Sequence, residues 1–349
     1  MNVDGQSLRL SDFDYDLPAA RIAQQPCEPR DAAKLLVIHL ADQRIEHRQV
    51  RELPELLRAD DLLILNRTRV IPARLVGRKA TGGACEVLLI HPEAAAEAVT
   101  WRVLIRGRVR TGSELVVAGQ PCQVAACHSE GERSLRFPAD CDVQALAEAH
   151  GHMPLPPYIK RPDTAADRQR YQTVFGDSPG SVAAPTASLH LTEELLARLD
   201  RRGIEHRLVD LAVGPGTFKP VQVDDPSAHQ MHAEFCRCEA DTAAAINRQR
   251  TAGKRVIAVG TTVVRTLESA VDADGRCQPF ADWTRIFLHP PARLQLVDGL
   301  LTNFHLPRST LLMLVACLTG VDGLQQIYRT AIAEDYRFYS YGDAMLILP

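Results

Sequence analysis

The chain has 349 residues, of which 46% are hydrophobic, and it carries a formal net charge of −3. This composition supports a sizeable folded core and excludes a globally disordered chain. It also excludes nucleic-acid binding driven by overall charge, so any basic surface has to be local.

The nine cysteines are scattered, and no two of them form a C-x-x-C pair. This argues against a disulfide scaffold or a structural zinc site and fits a reducing, cytoplasmic location. The N-terminal residues lack the charged and apolar regions of a secretory signal. The longest apolar run, at 311–318, is too short to span a bilayer. We therefore expect no membrane association.

Residues 1–66 predict mixed α/β structure, with strands at 33–40 and 60–66. From residue 67 to about 150, short apolar segments recur between glycine or polar turns. Their close spacing favours a small antiparallel barrel or sandwich. These predicted strands lie at 70–76, 85–90, 101–105, 114–117, 123–126 and 135–137.

A proline-rich stretch at 151–162 predicts a stiff, extended connector. Beyond it, helix-like and strand-like segments alternate, which predicts a layered α/β arrangement. The predicted fold class is mixed α/β (α+β): a layered domain of residues 1–66 plus 151–349, with an inserted antiparallel β-barrel domain at 67–150. The predicted helices are 192–202, 240–252, 262–270 and 309–319, and the predicted strands are 208–213, 255–259 and 285–289.

Basic residues are concentrated at the start of the predicted insert. Between Arg67 and Arg110 there are nine arginines and lysines against three acids, whereas residues 111–150 contain six acids and two arginines. A basic face on a small β domain is what binding to a phosphate backbone requires. Solvated strand edges that deter aggregation have the same composition, so charge alone leaves both interpretations open.

Two strand-like segments end in glycine turns. One runs into Gly214 and Gly216, and the other runs into Gly260, Thr261 and Thr262. Ligands in α/β sheets sit at the carboxyl ends of strands, and backbone N–H groups there favour anions. Neither turn matches a dinucleotide or nucleoside-triphosphate motif.

Two loops and the C-terminal tail carry further candidate groups. His229, His232 and Glu234 could be metal ligands, incidental loop residues, or, for the last two, substrate contacts. Thr186 and His190 immediately precede a predicted helix in a loop that could line a cleft. The aromatic tail at 334–348 could either stack on bases or pack in the core.

Eight segments together are more specific than any one of them. They are D-F-D-Y-D-L-P, L-N-R-T-R-V-I-P-A-R-L-V-G-R-K, G-H-M-P-L-P-P-Y-I-K-R-P, R-Y-Q-T-V-F, V-A-A-P-T-A-S-L-H-L-T-E-E, A-V-G-T-T-V-V-R-T-L-E-S, V-D-G-L-L-T-N-F-H-L-P-R-S-T-L-L-M-L-V and Y-R-F-Y-S-Y-G-D-A-M-L-I. With these motifs in this order, roughly residues 12–348 resemble the S-adenosylmethionine:tRNA ribosyltransferase-isomerases of queuosine biosynthesis.

The resemblance implies an α/β domain with an inserted β-barrel. It also implies that S-adenosylmethionine is consumed as a ribosyl donor, with no separate cofactor or metal. The acceptor would be the aminomethyl-deazaguanine base at the tRNA wobble position. The products would be epoxyqueuosine-tRNA, adenine and methionine. We expect the enzyme to act as a monomer on these two partners.

That chemistry needs a base near the ribose 5′-CH₂, an acid for the departing adenine, and a neutral acceptor amine. Groups that titrate near neutrality suit these steps, and histidine supplies them. The candidate catalytic residues are His190, His305, Glu193 and Asp343. The candidate substrate-binding residues are Thr186, Gly214, Gly216, Thr217, His232, Glu234, Gly260, Thr261, Thr262, Arg265, Glu268, Asn303 and Ser309. The candidate tRNA-binding residues are Arg67, Arg69, Arg74, Arg106, Arg108, Arg110, Lys160, Arg161 and Arg337.

Three segments depart from the usual family pattern, the last of them being His289-Pro290-Pro291 in place of Y-P-G. Ala212 stands where the family has a histidine in H-V-G-A-G-T-F, Ser188 replaces the glycine of A-G-L-H-F-T, and Pro291 falls in the Y-P-G segment. A tRNA-binding relative without catalytic activity is therefore an alternative hypothesis. A metal-dependent hydrolase based on His229, His232 and Glu234 is a third.

Overall fold

A computed structural model describes residues 8–93, 99–218 and 221–349, with the side chains of Thr217 and Phe218 outside the description. Its β-strands are β1 (Lys34–His39), β2 (Arg44–Gln49), β3 (Leu62–Asn66), β4 (Thr68–Val70), β5 (Arg74–Lys79), β6 (Ala84–Glu93), β7 (Thr100–Arg106), β8 (Glu114–Val117), β9 (Gln120–Cys127), β10 (Glu132–Arg136), β11 (Ser178–Ser181), β12 (Glu205–Leu211), β13 (Glu234–Cys238), β14 (Val256–Val259), β15 (Phe280–Thr284), β16 (Gly299–Asn303) and β17 (Ala344–Leu348). Its α-helices are α1 (Leu53–Leu56), α2 (Val143–His150), α3 (Ala165–Arg170), α4 (Glu193–Arg201), α5 (Ala240–Thr251), α6 (Thr261–Ser269) and α7 (Thr310–Ala333).

The largest sheet has nine strands in the order β15-β13-β12-β3-β14-β16-β17-β1-β2. Strands β12, β3, β14 and β16 are mutually parallel, so their carboxyl ends meet at one edge. Strands β3, β14, β16 and β17 are buried at every position. Continuous apolar strands of this kind are typical of a sheet covered on both faces.

Helices cover both faces of this sheet. Along β3, Leu62 and Ile64 pack with α5, α6 and α7, whereas Leu63 and Leu65 pack with α1 and α4 on the opposite face. This alternation follows from the two-residue period of a strand. The result is a three-layer α/β/α arrangement.

The inserted segment forms a closed barrel in the order β10-β7-β6-β5-β8-β9. Its strands alternate between buried and exposed positions, as in β8, where Leu115 and Val117 face inward. The mixed α/β fold with an inserted antiparallel barrel is therefore confirmed. The barrel strands run from Arg74 to Arg136, inside the segment 67–150 that the sequence predicts as the insert.

The proline-rich connector packs between the barrel and the large sheet. His152 pairs with Arg74 at the start of β5, and Met153, Leu155 and Ile159 are buried in a cluster with Tyr341. The connector thus contacts both the first barrel strand and the C-terminal tail.

Local signals in the sequence mark the ends of two helices. The side chain of Thr192 caps α4 by accepting a hydrogen bond from the backbone N–H of Leu195, and Gly203 (φ 77°) follows the end of that helix. Ser309 caps α7 in the same way through Leu312.

Two predictions are wrong in detail. Residues 285–289 are not a strand, because the edge strand that pairs with β13 is β15, at 280–284. The two prolines at 290 and 291 lack the N–H donors that would extend the pairing. Helix α7 runs to Ala333 rather than ending near residue 319, with a local break at Gly320 (φ 68°).

Helix α7 is long and apolar enough to cross a membrane by length and composition alone. Its residues Leu312 to Ala316, however, are buried in the core beneath the large sheet together with Phe304 and Tyr336. We therefore interpret α7 as a core helix.

Gly151 joins α2 to the connector at a point where no side chain fits. A Cβ at this position would lie 1.8 Å from the carbonyl oxygen of Pro72. We expect Gly151→Ala to lower the free energy of unfolding by about 1–3 kcal/mol or more, because the backbone has to shift. Urea denaturation measures the change. Gly83→Ala, whose Cβ would meet only Lys79 Cδ at 3.9 Å, is the matched control and should change little. Equal stability of the two variants would contradict the prediction.

Candidate active site

A cleft lies at the carboxyl edge of the parallel strands, as the glycine turns in the sequence predict. It consists of two adjoining cavities that share Leu311 at the start of α7. The first, here called the neutral cavity, has a volume of about 670 Å³ including its open mouth. The second, the charged cavity, has about 1330 Å³ on the same measure.

The neutral cavity gathers segments that are far apart in the sequence. Its walls come from residues 183–187, 260–262, 302–306 and 339–340, together with Tyr158, Val213, Ser309 and Leu311. Among these described lining residues there is no Asp, Glu, Lys or Arg. The cavity therefore offers hydroxyl, amide and imidazole groups on an apolar background.

Helix α7 fixes the loop that contributes His305. The hydroxyl of Ser309 accepts a hydrogen bond from Leu312 N (3.2 Å) and donates one to Leu306 O (2.7 Å). Because Leu312 is buried in the core, the helix start cannot move without disrupting that packing. The polar residues before the apolar run are thus held in place by the run itself.

Asn303, at the end of β16, connects two other segments. Its Oδ1 accepts a hydrogen bond from the Thr186 hydroxyl (2.8 Å), and its Nδ2 donates to His190 Nε2 (3.2 Å). Asn303 and His190 are buried, at 2% and 5% exposure. The structure therefore brings together three of the predicted residues in one hydrogen-bonded chain.

His305 lines the neutral cavity and is held at both its backbone and its ring. Its N–H donates to the Tyr328 hydroxyl (2.9 Å), and its carbonyl accepts a hydrogen bond from Tyr15 of the D-F-D-Y motif. Its Nε2 shares a hydrogen bond of 3.0 Å with the Thr302 hydroxyl. Burial lowers the pKa of His305 to about 3, so the ring is neutral at pH 7.

His190 is also neutral, because burial lowers its pKa to about 4. It lies outside the described lining of both cavities and reaches the neutral cavity through Asn303. The structure thus separates the two histidines that the sequence places in equivalent roles.

Asn66 is a site residue that sequence reasoning missed. It ends β3, and its Nδ2 donates to Leu211 O (3.1 Å) and to the Thr262 hydroxyl (3.2 Å). Its Oδ1 accepts from the N–H groups of Thr68 and Leu211, each at 3.1 Å. The signal available in the sequence was an asparagine at the end of an apolar, strand-like segment. Asn66 positions Thr262 beside Gly260 (φ 99°), which begins α6.

The charged cavity centres on a buried ion pair between Glu234 and Arg265, which are 4% and 5% exposed. Glu234 also accepts a hydrogen bond from the N–H of Gly214 (2.9 Å). His232 meets Glu130 of the barrel at 2.5 Å, so the barrel contributes to the wall of this cavity.

Gly216 is required by close approach, because a Cβ there would lie 2.4 Å from the His232 ring. Thr217 follows it in a short 3-10 turn, and its predicted role concerns a side chain outside the described part. Across the described residues, no group of three or more His, Cys, Asp and Glu side chains could hold a metal ion. The geometry therefore gives no support to a metal-dependent hydrolase.

Three predicted acidic residues lie elsewhere. Glu193 is exposed in the first turn of α4. Glu268 accepts hydrogen bonds from the N–H groups of Gln295 and Leu296, so it ties a loop to α6. Asp343 accepts from Lys34 N and Arg337 N, and its own carbonyl lies 3.5 Å from Asn303 Nδ2. None of the three belongs to the described lining of the cleft, because each carboxylate either faces solvent or satisfies backbone donors.

The tail aromatics pack in the core rather than presenting faces to solvent. Tyr336 and Phe338 are 1% and 0% exposed. Tyr339 and Ser340 line the neutral cavity, and the Ser340 hydroxyl lies 2.6 Å from that of Tyr158 in the connector. The sequence predicted Asp343 as the catalytic residue from the tail and only tRNA contacts from the connector, so Tyr339, Ser340 and Tyr158 were missed.

The predicted tRNA-binding residues fall into two groups. Four are engaged within the fold: Arg67 with Asp210, Arg74 with Leu155 O and Glu86, Arg161 with Asp167, and Arg337 with Asp343. The exposed ones are Arg69, Arg106, Arg108, Arg110 and Lys160. The second group presents its charge to solvent.

Comparisons with known proteins agree on one family. The profile of the queuosine biosynthesis protein family matches residues 10–347. The chain is 50% identical over 346 residues to the S-adenosylmethionine:tRNA ribosyltransferase-isomerase of Symbiobacterium thermophilum, covering 98% of this chain and 100% of the relative. It is 47% identical over 351 residues to the same enzyme of Thermus thermophilus, covering 97% and 99%. The crystal structure of S-adenosylmethionine tRNA ribosyltransferase from Thermotoga maritima matches with a TM-score of 0.56 and 37% identity, covering 97% and 100%.

The two buried histidines should make folding stability depend on pH. Unfolded histidine has a pKa of about 6.5, so between that value and the lowered folded pKa the unfolded state binds more protons. Stability should therefore rise with pH from about 4.5 to 6.5, by up to about 1.4 kcal/mol per pH unit for each histidine. Urea denaturation across this range should show a shallower slope for His305→Asn than for the parent chain. An identical slope in both proteins would contradict the prediction.

Proposed function

Because the chain belongs to the queuosine biosynthesis protein family, we propose that it transfers and isomerises the ribosyl moiety of S-adenosylmethionine onto tRNA. Relatives that carry this name match almost the whole chain, including both the layered domain and the barrel. The acceptor is the aminomethyl-deazaguanine base at the wobble position. The products are epoxyqueuosine-tRNA, adenine and methionine. S-adenosylmethionine supplies the transferred group itself, so the reaction requires no further cofactor.

The observation that carries the proposal is the convergence of the recognised motifs on one cleft. Residues of V-A-A-P-T-A-S-L-H, A-V-G-T-T and T-N-F-H-L-P-R-S-T line the neutral cavity although they are up to about 130 positions apart. The segments that follow β14 and β16 share this edge because the two strands are parallel, and tertiary packing adds the loop at 183–187 to them. Their arrangement supports a shared role in binding and chemistry.

The chemistry begins with removal of a proton from the ribose 5′-CH₂, which the neighbouring sulfonium acidifies. His305 is placed for this step because it lines the cavity and its imidazole is neutral at pH 7. Its lowered pKa makes it a weaker base than the histidine titrating near neutrality that the sequence analysis expects, so its position carries the assignment. Once protonated, a histidine with so low a pKa is a strong acid. The same ring can therefore return a proton to the departing adenine.

Asn303 and Thr186 contribute hydrogen-bonding groups for the ribose hydroxyls or the opened sugar. His190 fixes the orientation of the Asn303 amide, because its Nε2 accepts from Nδ2 and leaves Oδ1 facing Thr186. In this proposal His190 is a positioning residue, and His305 is the group that exchanges protons with the substrate.

The alternative of a non-catalytic relative has little support from the cleft. The chain from Thr186 through Asn303 to His190 is intact although Ser188 lies within the same 3-10 turn. Ala212 is held by its backbone, which donates to Phe235 O (3.0 Å), and Pro291 lies outside the described lining of both cavities. The departures from the family pattern therefore leave the candidate machinery in place.

The exposed arginines of the barrel are the proposed contact surface for the tRNA backbone. Arg106, Arg108 and Arg110 follow or end β7, with no acidic side chain in an ion pair with them among the described residues. Action on tRNA would place the enzyme in the cytoplasm.

The role of His305 can be tested by single-turnover release of adenine from S-adenosylmethionine in the presence of the acceptor tRNA. We expect His305→Gln to lower the rate by about 100-fold or more, the scale of general acid–base catalysis. His190→Gln should cost less, because it acts through Asn303. His150→Gln, at an exposed position at the end of α2, is the control. A loss below about tenfold for His305→Gln would reject the assignment.

The barrel surface can be tested by the salt dependence of tRNA binding. Replacing Arg106, Arg108 and Arg110 by serine should weaken binding and reduce the slope of log K against log salt by about one unit for each phosphate that the variant no longer neutralises. The matched control replaces Arg201, Arg202 and Arg248, which are exposed at or near the ends of α4 and α5. These helix ends lie at the sheet edge opposite the cleft, because they lead into the amino ends of β12 and β14. An unchanged slope in the barrel variant would exclude that surface.

A further inference from the structure

Arg265 has a donor that the described part of the protein leaves unused. The residue lies on α6 and is 5% exposed. Its Nη1 pairs with Glu234, and its Nε donates to the carbonyl of Ile286 (3.3 Å). Its Nη2 is buried and has no hydrogen-bond partner among the described residues. A buried charged donor without a partner is unfavourable, so a site that retains one is suited to a ligand that supplies the acceptor.

That donor belongs to a residue in the wall of the charged cavity. Glu234 holds the guanidinium in a fixed orientation, and Glu234 is itself anchored by Gly214 N at 2.9 Å. An arginine whose one face is fixed by a carboxylate can use the remaining N–H groups to bind a second carboxylate. Arg265 is therefore the lining residue of this cavity with a donor available for an anion.

One cavity is lined by uncharged groups and the other by charged ones, and the two halves of S-adenosylmethionine differ in the same property. Adenosine is uncharged and presents hydroxyls and a base, which suits the neutral cavity with its threonines and Asn303. The methionyl moiety carries an α-carboxylate and an α-ammonium, and such charges need charged partners when water is displaced. Among the described lining residues, charged side chains occur only in the second cavity.

We propose that Arg265 binds the α-carboxylate of the methionyl moiety, so that S-adenosylmethionine lies with adenosine in the neutral cavity and its amino-acid end in the charged cavity. This rests on the proposed function, because it takes S-adenosylmethionine as the substrate. The sulfonium then lies near Leu311, where the cavities meet. Glu234 is a positioning residue for Arg265.

The orientation has a structural consequence for the barrel. Glu130, which precedes β10, contacts His232 at 2.5 Å on the wall of the charged cavity. The amino-acid end of the substrate therefore lies on the barrel side of the cleft. Methionine departs from that side, and adenine departs from the neutral cavity.

The test is isothermal titration of the tRNA-free protein with three ligands: S-adenosylmethionine, its decarboxylated form and 5′-methylthioadenosine. In the unmodified protein, loss of the carboxylate should weaken binding by at least about tenfold, equivalent to about 1.4 kcal/mol. Arg265→Gln should remove this preference while binding of 5′-methylthioadenosine stays within about twofold. Arg265→Lys keeps the charge but loses the planar set of guanidinium N–H donors, so it should retain only part of the preference for the carboxylate. Arg248→Gln, an exposed arginine on α5, is the matched control.

The three ligands test the carboxylate preference in the unmodified protein, so the proposal can be rejected even if Arg265→Gln fails to fold. Equal affinity for S-adenosylmethionine and its decarboxylated form would overturn the proposal, and so would equal weakening of all three ligands in Arg265→Lys. If the preference is present but no adenine is released with tRNA, the subsite stands and the proposed function fails. If adenine is released without a carboxylate preference, the function stands and the subsite fails. If none of the three ligands binds, the titration is repeated with the protein saturated by tRNA that lacks the acceptor amine, and absence of binding there rejects both.

Discussion

The hydrogen bonds of Asn303 are the interaction on which the candidate site depends. Asn303 ends a fully buried strand, pairs in the sheet with Ala344, and joins Thr186 and His190 through its side chain. The strand fixes the position of its backbone, so the amide can orient two loops that would otherwise move independently. The central sheet thus fixes the positions of the loop side chains, because its packed strands are the part of the fold least able to deform.

Burial determines what the histidines can do. In water an imidazole is partly protonated near neutrality, but burial lowers the pKa of both His190 and His305 and keeps them neutral. A neutral ring is ready to accept a proton, and the protonated form then gives it up readily. The same burial destabilises the folded state in acid, so the burial that keeps both rings neutral also makes stability sensitive to pH.

Whether an arginine of the cleft or the barrel can bind a ligand depends on its ion-pair partners in the fold, and not on how many basic residues lie nearby. The predicted tRNA-binding arginines divide into those whose charge is satisfied inside the fold, such as Arg67 with Asp210, and those that face solvent, such as Arg108. The ion pair of Arg265 with Glu234 is buried, and it leaves one arginine donor without a partner in the described part of the chain. In each case the neighbouring side chains decide whether an arginine stabilises the fold or is available to bind a ligand. The residue type alone does not.

The sequence by itself determined the layered fold, the barrel, the start of α4 at Thr192, and the family. These follow from local periodicity and contiguous motifs, which act over a few residues or one strand. Only the tertiary structure decided that His305 faces the cavity while His190 stands behind Asn303, and that Glu193 points to solvent. It also brought Asn66, Tyr158 and Ser340 to the site. Such assignments depend on contacts between residues more than a hundred positions apart, which no local pattern encodes.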